Sequence, residues 1–171
     1  MGDTGYVILF FVGIIAITFL YYWIKEKAKK NIFFKDQYEM QKNLTENSYV
    51  FTYQGTVEQL KEAIKNRIPV DNSFSANFVG GNYIIKSETA DEITFLHGAK
   101  ITTGGGGDEF TATIKFSQTE DAACAVARII QWKVHDGVTR KAGIQAMQGF
   151  FNSVSLAVKD VDKNSSVNVV K

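Results

Sequence analysis

The chain of 171 residues is poor in cysteine and histidine. Its one cysteine, Cys124, has no second cysteine to pair with, which excludes an internal disulfide, although a domain without disulfides fits either side of a membrane. Cys124 lies in the small apolar segment AACAVA with no recognisable activating base, so the sequence does not indicate a cysteine nucleophile. His97 and His135 have no Cys or His companion at ligand spacing. The sequence therefore predicts no metal site and no cofactor, and both histidines are expected at the surface or in turns.

A concentrated basic stretch is missing from most of the chain. Of the 19 Lys and Arg residues, four lie within residues 25–30, which leaves 15 against 16 Asp and Glu over residues 31–171. Nucleic-acid-binding domains carry a basic footprint that neutralises phosphates. The near neutrality of residues 31–171 therefore argues against a nucleic-acid partner.

The sequence does contain one long uncharged run. Residues 6–24 comprise 19 residues without a charge, and at about 1.5 Å per residue such a helix crosses the ~30 Å hydrocarbon core of a bilayer. The alternative is a cleaved signal peptide, which has basic residues before a shorter apolar run and a small-residue cleavage site after it. Here Asp3 precedes the run, and its end and flank read YYWIKEK. The run predicts a transmembrane helix.

The residues that flank this run predict its orientation. Aromatic rings prefer the headgroup layer, and lysines are enriched on the cytoplasmic side of a membrane, where they also suit an anionic leaflet. We therefore expect a single-pass cell-membrane protein with its N-terminus outside and its C-terminal domain in the cytoplasm, in contact with the lipid bilayer. The predicted interface residues are Tyr6, Tyr21, Tyr22, Trp23, Lys25, Lys27, Lys29 and Lys30.

The chain divides by composition into four segments. The connector after the anchor mixes aromatic residues with charges, which predicts a partly helical stretch that prolongs the first helix or lies along the membrane surface. The predicted segments are a transmembrane anchor with a basic flank (1–30), the connector (31–47), an α+β domain (48–162) and a flexible tail (163–171).

The domain is predicted to begin with a strand and a helix. SYVFTYQ, residues 48–54, alternates at period two, as a strand buried on one face does. After Gly55, the segment TVEQ starting at Thr56 forms a capping-box pattern, which predicts an amphipathic helix that ends at Pro69.

A meander of strands is predicted to follow. In DEFTATIKFSQ, apolar and polar residues alternate, which indicates one face in the core and one in water. Residues 122–134, AACAVARIIQWKV, favour a long strand that forms a hairpin with its neighbour, with a helix as the alternative. The other predicted strands are FSANFVG (74–80), NYIIKSE (82–88) and EITFLHG (92–98).

A long amphipathic helix is predicted over residues 138–160, with Asp136 or Thr139 as its cap. Its apolar stripe needs a sheet to lie on. A second stripe of small residues beside it would let the helix approach the sheet closely or leave space beneath it. The apolar stripe is Ile144, Met147, Phe151, Val154, Val158 and Val161, and the small stripe is Ala142, Ala146, Gly149, Ser153 and Ala157.

This order of elements, over about residues 48–160, resembles the helix-grip fold of the START and Bet v 1-like superfamily. The resemblance implies a curved antiparallel sheet packed on the last helix, with a cavity between them that in many relatives holds a lipid, a sterol or another apolar molecule. Two features depart from the pattern. The segment after Ile64 lacks a clear second helix, and the alanine-rich residues 122–134 would bring small side chains to the sheet.

The run ITTGGGGDEF has neither the spacing of a phosphate-binding P-loop nor that of a dinucleotide fingerprint. The glycines lead into Asp108, Glu109 and a predicted strand, so a hairpin loop is expected, with a flexible lid over a cavity mouth as the alternative.

Two residues of the 122–134 segment are candidate ligand contacts. Arg128 interrupts an apolar series, so it would hold an anionic headgroup if it pointed inward, or remain solvated at the sheet surface if it did not. Trp132 would contact an apolar ligand or pack in the core. The paired carboxylates of the chain fall at predicted turns, and no catalytic set is apparent.

We therefore expect a membrane-anchored cytosolic domain that binds a small apolar or amphipathic ligand at the inner leaflet, and not an enzyme. The alternative is a non-enzymatic interaction or scaffolding domain with a filled core, whose working surface meets another membrane protein.

Overall fold

The computed structural model describes residues 3–71, 73, 82–98, 108–120, 122–135, 137–163 and 165–171. Over these residues the chain forms four α-helices, one π-helical segment and six strands. Helices combined with a single antiparallel sheet agree with the predicted α+β class. The predicted strand at 74–80 and the glycine run at 104–107 lie outside the described residues.

The N-terminal helix α1 (Asp3–Ala28) continues through a π-helical segment (Lys29–Phe33) and then α2 (Lys35–Glu46). The stretch Gly5–Phe33 is long and apolar enough to cross a membrane, and its apolar window is not buried against the rest of the chain. A signal sequence passes the same test of length and composition. The chain therefore exposes an uninterrupted apolar helix ahead of the folded domain.

The six strands form one sheet in the order β2-β3-β4-β5-β1-β6, and every neighbouring pair is antiparallel. Residues 123–132 are a strand, which settles the choice between strand and helix for that segment. Strand β1 joins the far end of the meander by pairing with β5. The bounds are β1 Ser48–Tyr53, β2 Tyr83–Glu88, β3 Glu92–His97, β4 Phe110–Gln118, β5 Ala123–Trp132 and β6 Ser166–Val170.

Helix α3 (Val57–Arg67) begins at the predicted capping box. The Gln59 backbone N–H donates to Thr56 Oγ1, and the Thr56 backbone N–H donates to Gln59 Oε1, each over 3.3 Å. These two bonds satisfy amides that have no partner within the helix, which fixes its start. The helix ends just before Pro69, as predicted.

Helix α4 (Lys141–Val161) starts three residues later than predicted, with Arg140 at the capping position. Thr139 does not cap it: the helix start has no side-chain cap, and the Thr139 hydroxyl instead donates to the Lys133 carbonyl oxygen over 3.3 Å, while its backbone N–H donates to Gln41 of α2. The other predicted cap, Asp136, lies outside the described residues. Thr139 instead joins the connector to the domain.

The core lies between one face of the sheet and the helices α3 and α4. Phe150 is its centre, with the rings of Phe151, Tyr83, Phe95 and Phe110 at centroid distances of 5.6, 5.9, 5.9 and 6.0 Å. Large side chains from the sheet and from α4 thus meet directly. A sheet covered by a long C-terminal helix is loosely compatible with a helix-grip fold, but here aromatic rings occupy the space between the two layers.

The small-residue stripe of α4 borders α3. Asp160 lies on the same side of the helix as Ser153. It forms an ion pair of 3.4 Å with Arg67 at the end of α3. A Cβ atom added at Gly149 would meet nothing within 4 Å. The stripe is therefore open at Gly149 and closely packed at Ala157, which is buried.

The C-terminal residues differ from the prediction of a flexible tail over 163–171. Residues 166–170 form β6, which pairs with β1 in continuous register from Ser48↔Val170 to Thr52↔Ser166. The segment SVNVV is only five residues long, and β1 supplies the hydrogen-bonding edge that orders it.

Candidate functional site

A groove of about 540 Å³ lies between the connector and α4. We call it the juxtamembrane groove for its position directly after α1, the helix that is long and apolar enough to cross a membrane. Its apolar wall consists of Ile32, Phe33, Phe34, Met40 and Ile144. Its polar wall consists of Lys35, Asp36, Gln37, Lys141, Gln145 and Gln148.

The apolar side chains of the groove are unusually open to solvent. Ile32 and Phe33 are 72% and 73% exposed, and Phe34 and Met40 are also exposed. Only Ile144, at the floor, belongs to the domain core. Ile32 and Phe33 also end the membrane-length stretch, so this apolar surface continues that of α1. Large contiguous apolar surface marks a site that meets a ligand, a partner or a membrane.

The groove is held in shape by two glutamines of α2. Gln37 Nε2 donates to the Thr139 carbonyl oxygen over 2.5 Å, and the Thr139 backbone N–H donates to Gln41 Oε1 over 2.6 Å. Residues four apart lie on the same face of a helix, so the pair holds one peptide segment from both sides. Because Thr139 and Gln41 are both buried, this clamp fixes α2 against the start of α4.

A second contact joins the loop before α4 to the end of α1. Gly137 has φ +82°, and a Cβ atom added there would lie 2.6 Å from both Glu26 Oε1 and Lys30 Cε. Glycine meets both requirements, the positive φ and the close approach. The loop therefore contacts α1 as well as α2, which orients the domain relative to the apolar helix.

Cations surround the end of α1. Lys27 Nζ lies 4.8 Å from the centre of the Trp23 ring, and Lys30 Nζ lies 5.7 Å from that of Tyr38. Lys30 also pairs with Glu26 over 3.2 Å. The predicted interface aromatics Tyr6, Tyr21, Tyr22 and Trp23 are all exposed on α1.

The structure places Arg128 and Trp132 on opposite faces of β5. Arg128 is exposed on the face away from the helices and lies opposite Thr113 of β4. The alanines of β5 face the core instead, where their small size leaves room for the bulky side chains of the helices. Arg128 therefore does not point into an apolar space, and the two candidates do not form one site.

Trp132 lies opposite Phe110 at the end of the sheet and packs partly against the core. Its indole Nε1 is buried and has no hydrogen-bond partner among the described residues. A groove of about 380 Å³ opens at this end of the sheet; Trp132 and Phe110 form part of its lining, and the ion pair Lys133–Glu109 of 3.0 Å borders it. Trp132 therefore packs against the core and also lines this groove.

The two histidines have different environments. His97 is buried, contrary to the expectation of a surface position, with Nδ1 3.1 Å from the Asp108 carbonyl oxygen and its ring stacked on Phe110. Its place on the inward face of β3 explains the burial. His135 is exposed and pairs with Val138 in a turn. The part of the chain that the structure describes contains no group of three His, Cys, Asp or Glu side chains placed to share a metal ion.

Two pKa shifts reflect the packing of the domain. Burial in the aromatic core raises the pKa of Tyr83 to about 12. Hydrogen bonds from Lys65 and then Lys61 lower the pKa of Glu88, which ties the edge strand β2 to α3. Neither group lies in the juxtamembrane groove.

The structure thus defines a class of protein: an α+β domain joined through a clamped connector to an apolar helix long enough to cross a membrane. No family model matches the chain, and no curated protein matches it. The groove was not predicted from the sequence, because its floor, Ile144, is about a hundred residues from its rim. The exposed aromatic residues of the connector were the one signal that pointed to it.

Proposed function

We propose that the protein is a single-pass membrane protein whose cytosolic domain binds a phospholipid of the inner leaflet in the juxtamembrane groove. The observation that carries this proposal is the placement of an amphipathic groove directly after the membrane-length helix. A ligand that resides in the adjoining leaflet needs no aqueous transfer to reach it.

The lining of the groove suits an amphipathic molecule. Ile32, Phe33 and Met40 offer an acyl chain an apolar wall, while Lys35 and Lys141 offer a phosphate two cations. A volume of about 540 Å³ lies within the roughly 300–1,000 Å³ range typical of ligand sites and accommodates a headgroup with part of one chain. Lysines near an anionic leaflet add electrostatic attraction.

The position of the ligand differs from the one that the helix-grip resemblance implies. The space between the sheet and α4 contains Phe150 and its aromatic neighbours, so a ligand there would have to displace core side chains. The groove requires no such displacement.

Native mass spectrometry of the full chain, released from nanodiscs that contain phosphatidylglycerol, tests the proposal. We expect one retained phospholipid per chain. Met40→Asp places a carboxylate against the acyl chain and should lower retention about tenfold, because an unpaired charge in an apolar contact is costly. Met40→Leu should keep retention, and so should Leu156→Asp on the exposed side of α4. Equal retention by Met40→Asp and the wild type would refute the groove as the site.

The orientation needs its own measurement. In a Cys124→Ser background, Leu156→Cys supplies one exposed thiol on α4. A membrane-impermeant maleimide should fail to label it in sealed right-side-out vesicles and label it after permeabilisation. Labelling without permeabilisation would place the domain outside and contradict the inner-leaflet proposal.

A second candidate function is a membrane-anchored scaffolding domain without a ligand. The filled aromatic core favours it, since a domain that binds by its surface needs no internal space. Under this alternative the released chain carries no phospholipid in any variant, and partner binding depends on surface residues of the sheet or helices.

A further inference from the structure

The two edges of the sheet differ in how they are protected against pairing with another strand. Along β2, a β-bulge interrupts the register between Ile85 and Ser87, and Glu88 is paired with Lys61 and Lys65 over 3.1 and 2.9 Å. Bulges and charges are the devices by which natural edges avoid association. Strand β2 is therefore a protected edge.

Strand β6 has none of these devices. Residues 166–170, SVNVV, include no charge and no proline, and their register with β1 is uninterrupted. All five residues are exposed, including Val167, Val169 and Val170. Alternate residues of an edge strand direct their N–H and C=O groups away from the sheet. Among the described residues no strand pairs with this edge of β6, so it presents a regular row of donors and acceptors to a further strand.

The sequence of β6 is complementary to itself. In an antiparallel pair centred on Asn168, Val167 of one copy faces Val169 of the other, and Asn168 faces Asn168. Val167 and Val169 lie beside Phe51 and Tyr49 of β1, so the four valines would extend an existing apolar row. Asn168, on the other face, can hydrogen-bond its counterpart, and within residues 166–170 no like charges oppose each other.

We propose that β6 pairs with β6 of a second copy of this chain, which joins two six-stranded sheets into one continuous sheet about a two-fold axis. Two copies that share a membrane are confined to a plane, which raises their effective concentration. The dimer requires the two-fold axis to run along the membrane normal, so that both α1 helices enter from the same side. This inference does not depend on the juxtamembrane groove.

Disulfide crosslinking tests the pairing directly. In a Cys124→Ser background, Asn168→Cys places two thiols opposite each other across the axis, where antiparallel Cα atoms lie about 4.5–5.5 Å apart, within disulfide range. The matched control is Lys86→Cys, an exposed position on the protected edge. For the full chain in dilute liposomes, we expect Asn168→Cys to form a covalent homodimer at least about tenfold faster than the control.

Charge substitution tests the register. Val167→Lys with Val169→Lys brings four cations together and should lower the dimer fraction, measured by single-molecule photobleaching, about tenfold. Val167→Glu with Val169→Lys places opposite charges across the axis and should restore it. Circular dichroism checks that both double variants fold. If one of them does not fold, the crosslinking experiment alone decides the proposal.

Two results would overturn the proposal. One is equal crosslinking rates at the two edges. The other is an Asn168→Cys thiol that crosslinks to a different protein in native membranes instead of to a second copy, which would assign the edge to another partner.

Discussion

Replacement of Phe150 by alanine should distinguish a filled core from a ligand cavity beneath α4. The Phe150 side chain is fully buried, and its ring contacts four aromatic neighbours at 5.6–6.0 Å. Truncation of a buried phenylalanine costs about 3–5 kcal/mol, which combines lost transfer free energy with the cavity left behind. Because four ring contacts disappear together, we expect a value in the upper half of that range.

The assay is urea unfolding of the full chain in detergent micelles, followed by near-ultraviolet circular dichroism of the aromatic cluster. Phe150→Leu retains part of the volume and should cost less than Phe150→Ala. Leu156→Ala, on the exposed side of the same helix, should change the free energy of unfolding by no more than about 0.5 kcal/mol.

A loss below about 1 kcal/mol for Phe150→Ala would refute the reasoning. It would mean that the space around the ring collapses or refills at little cost, as the rim of a ligand cavity does. The same variant should gain uptake of an apolar probe such as xenon, since an engineered apolar cavity stays dry. The wild type should take up none at this position.

Three further predictions concern the clamp, the helix cap and alkaline pH. Gln41→Ala removes the acceptor for the buried Thr139 N–H, so it should lower the free energy of unfolding by about 1–3 kcal/mol and speed amide exchange at Thr139. Gln41→Glu keeps an acceptor, so exchange at Thr139 should be slower than in Gln41→Ala. Thr56→Ala should lower stability by about 1 kcal/mol in urea unfolding through loss of the cap of α3, and Thr56→Ser should recover most of it; equal stability of all three chains would contradict the capping role. The Tyr83 pKa rises from 10.0 to about 12 on folding, so its contribution is complete below pH 10 and is lost as pH rises from 10 to 12. At pH 11 this loss is about 1.4 kcal/mol and should be absent in Tyr83→Phe, and an equal alkaline loss in that variant would assign it to other groups.

Local patterns were sufficient for much of the domain. The capping box at Thr56 predicted the start of α3 because its hydrogen bonds join residues three apart. The alternation in DEFTATIKFSQ predicted β4, since strand periodicity shows in a few residues. The long uncharged run predicted a helix long and apolar enough to span a bilayer.

Other features depended on partners distant in sequence. The expectation of a flexible tail did not anticipate β6, because that strand is ordered by β1, which lies more than a hundred residues earlier. Arg128 points to solvent because the helices cover the other face of β5. The alanines of that strand, which lie on the covered face, gave only a weak indication of this orientation. The burial of His97 likewise reflects the aromatic rings that reach it from β2 and β4.

By itself, the sequence determined the classes of local structure: an apolar helix of membrane length, a capped amphipathic helix, alternating strands and a long final helix. Hydrogen bonds and apolar periodicity within one element specify these features. Only the tertiary structure decided that aromatic rings meet beneath α4, that the connector is clamped at Thr139 beside a groove, and that β6 lies at the edge of the sheet formed by the described residues. Each of these features depends on contacts between surfaces of different elements. Contacts between residues a hundred positions apart produce no periodic pattern in the sequence of either segment.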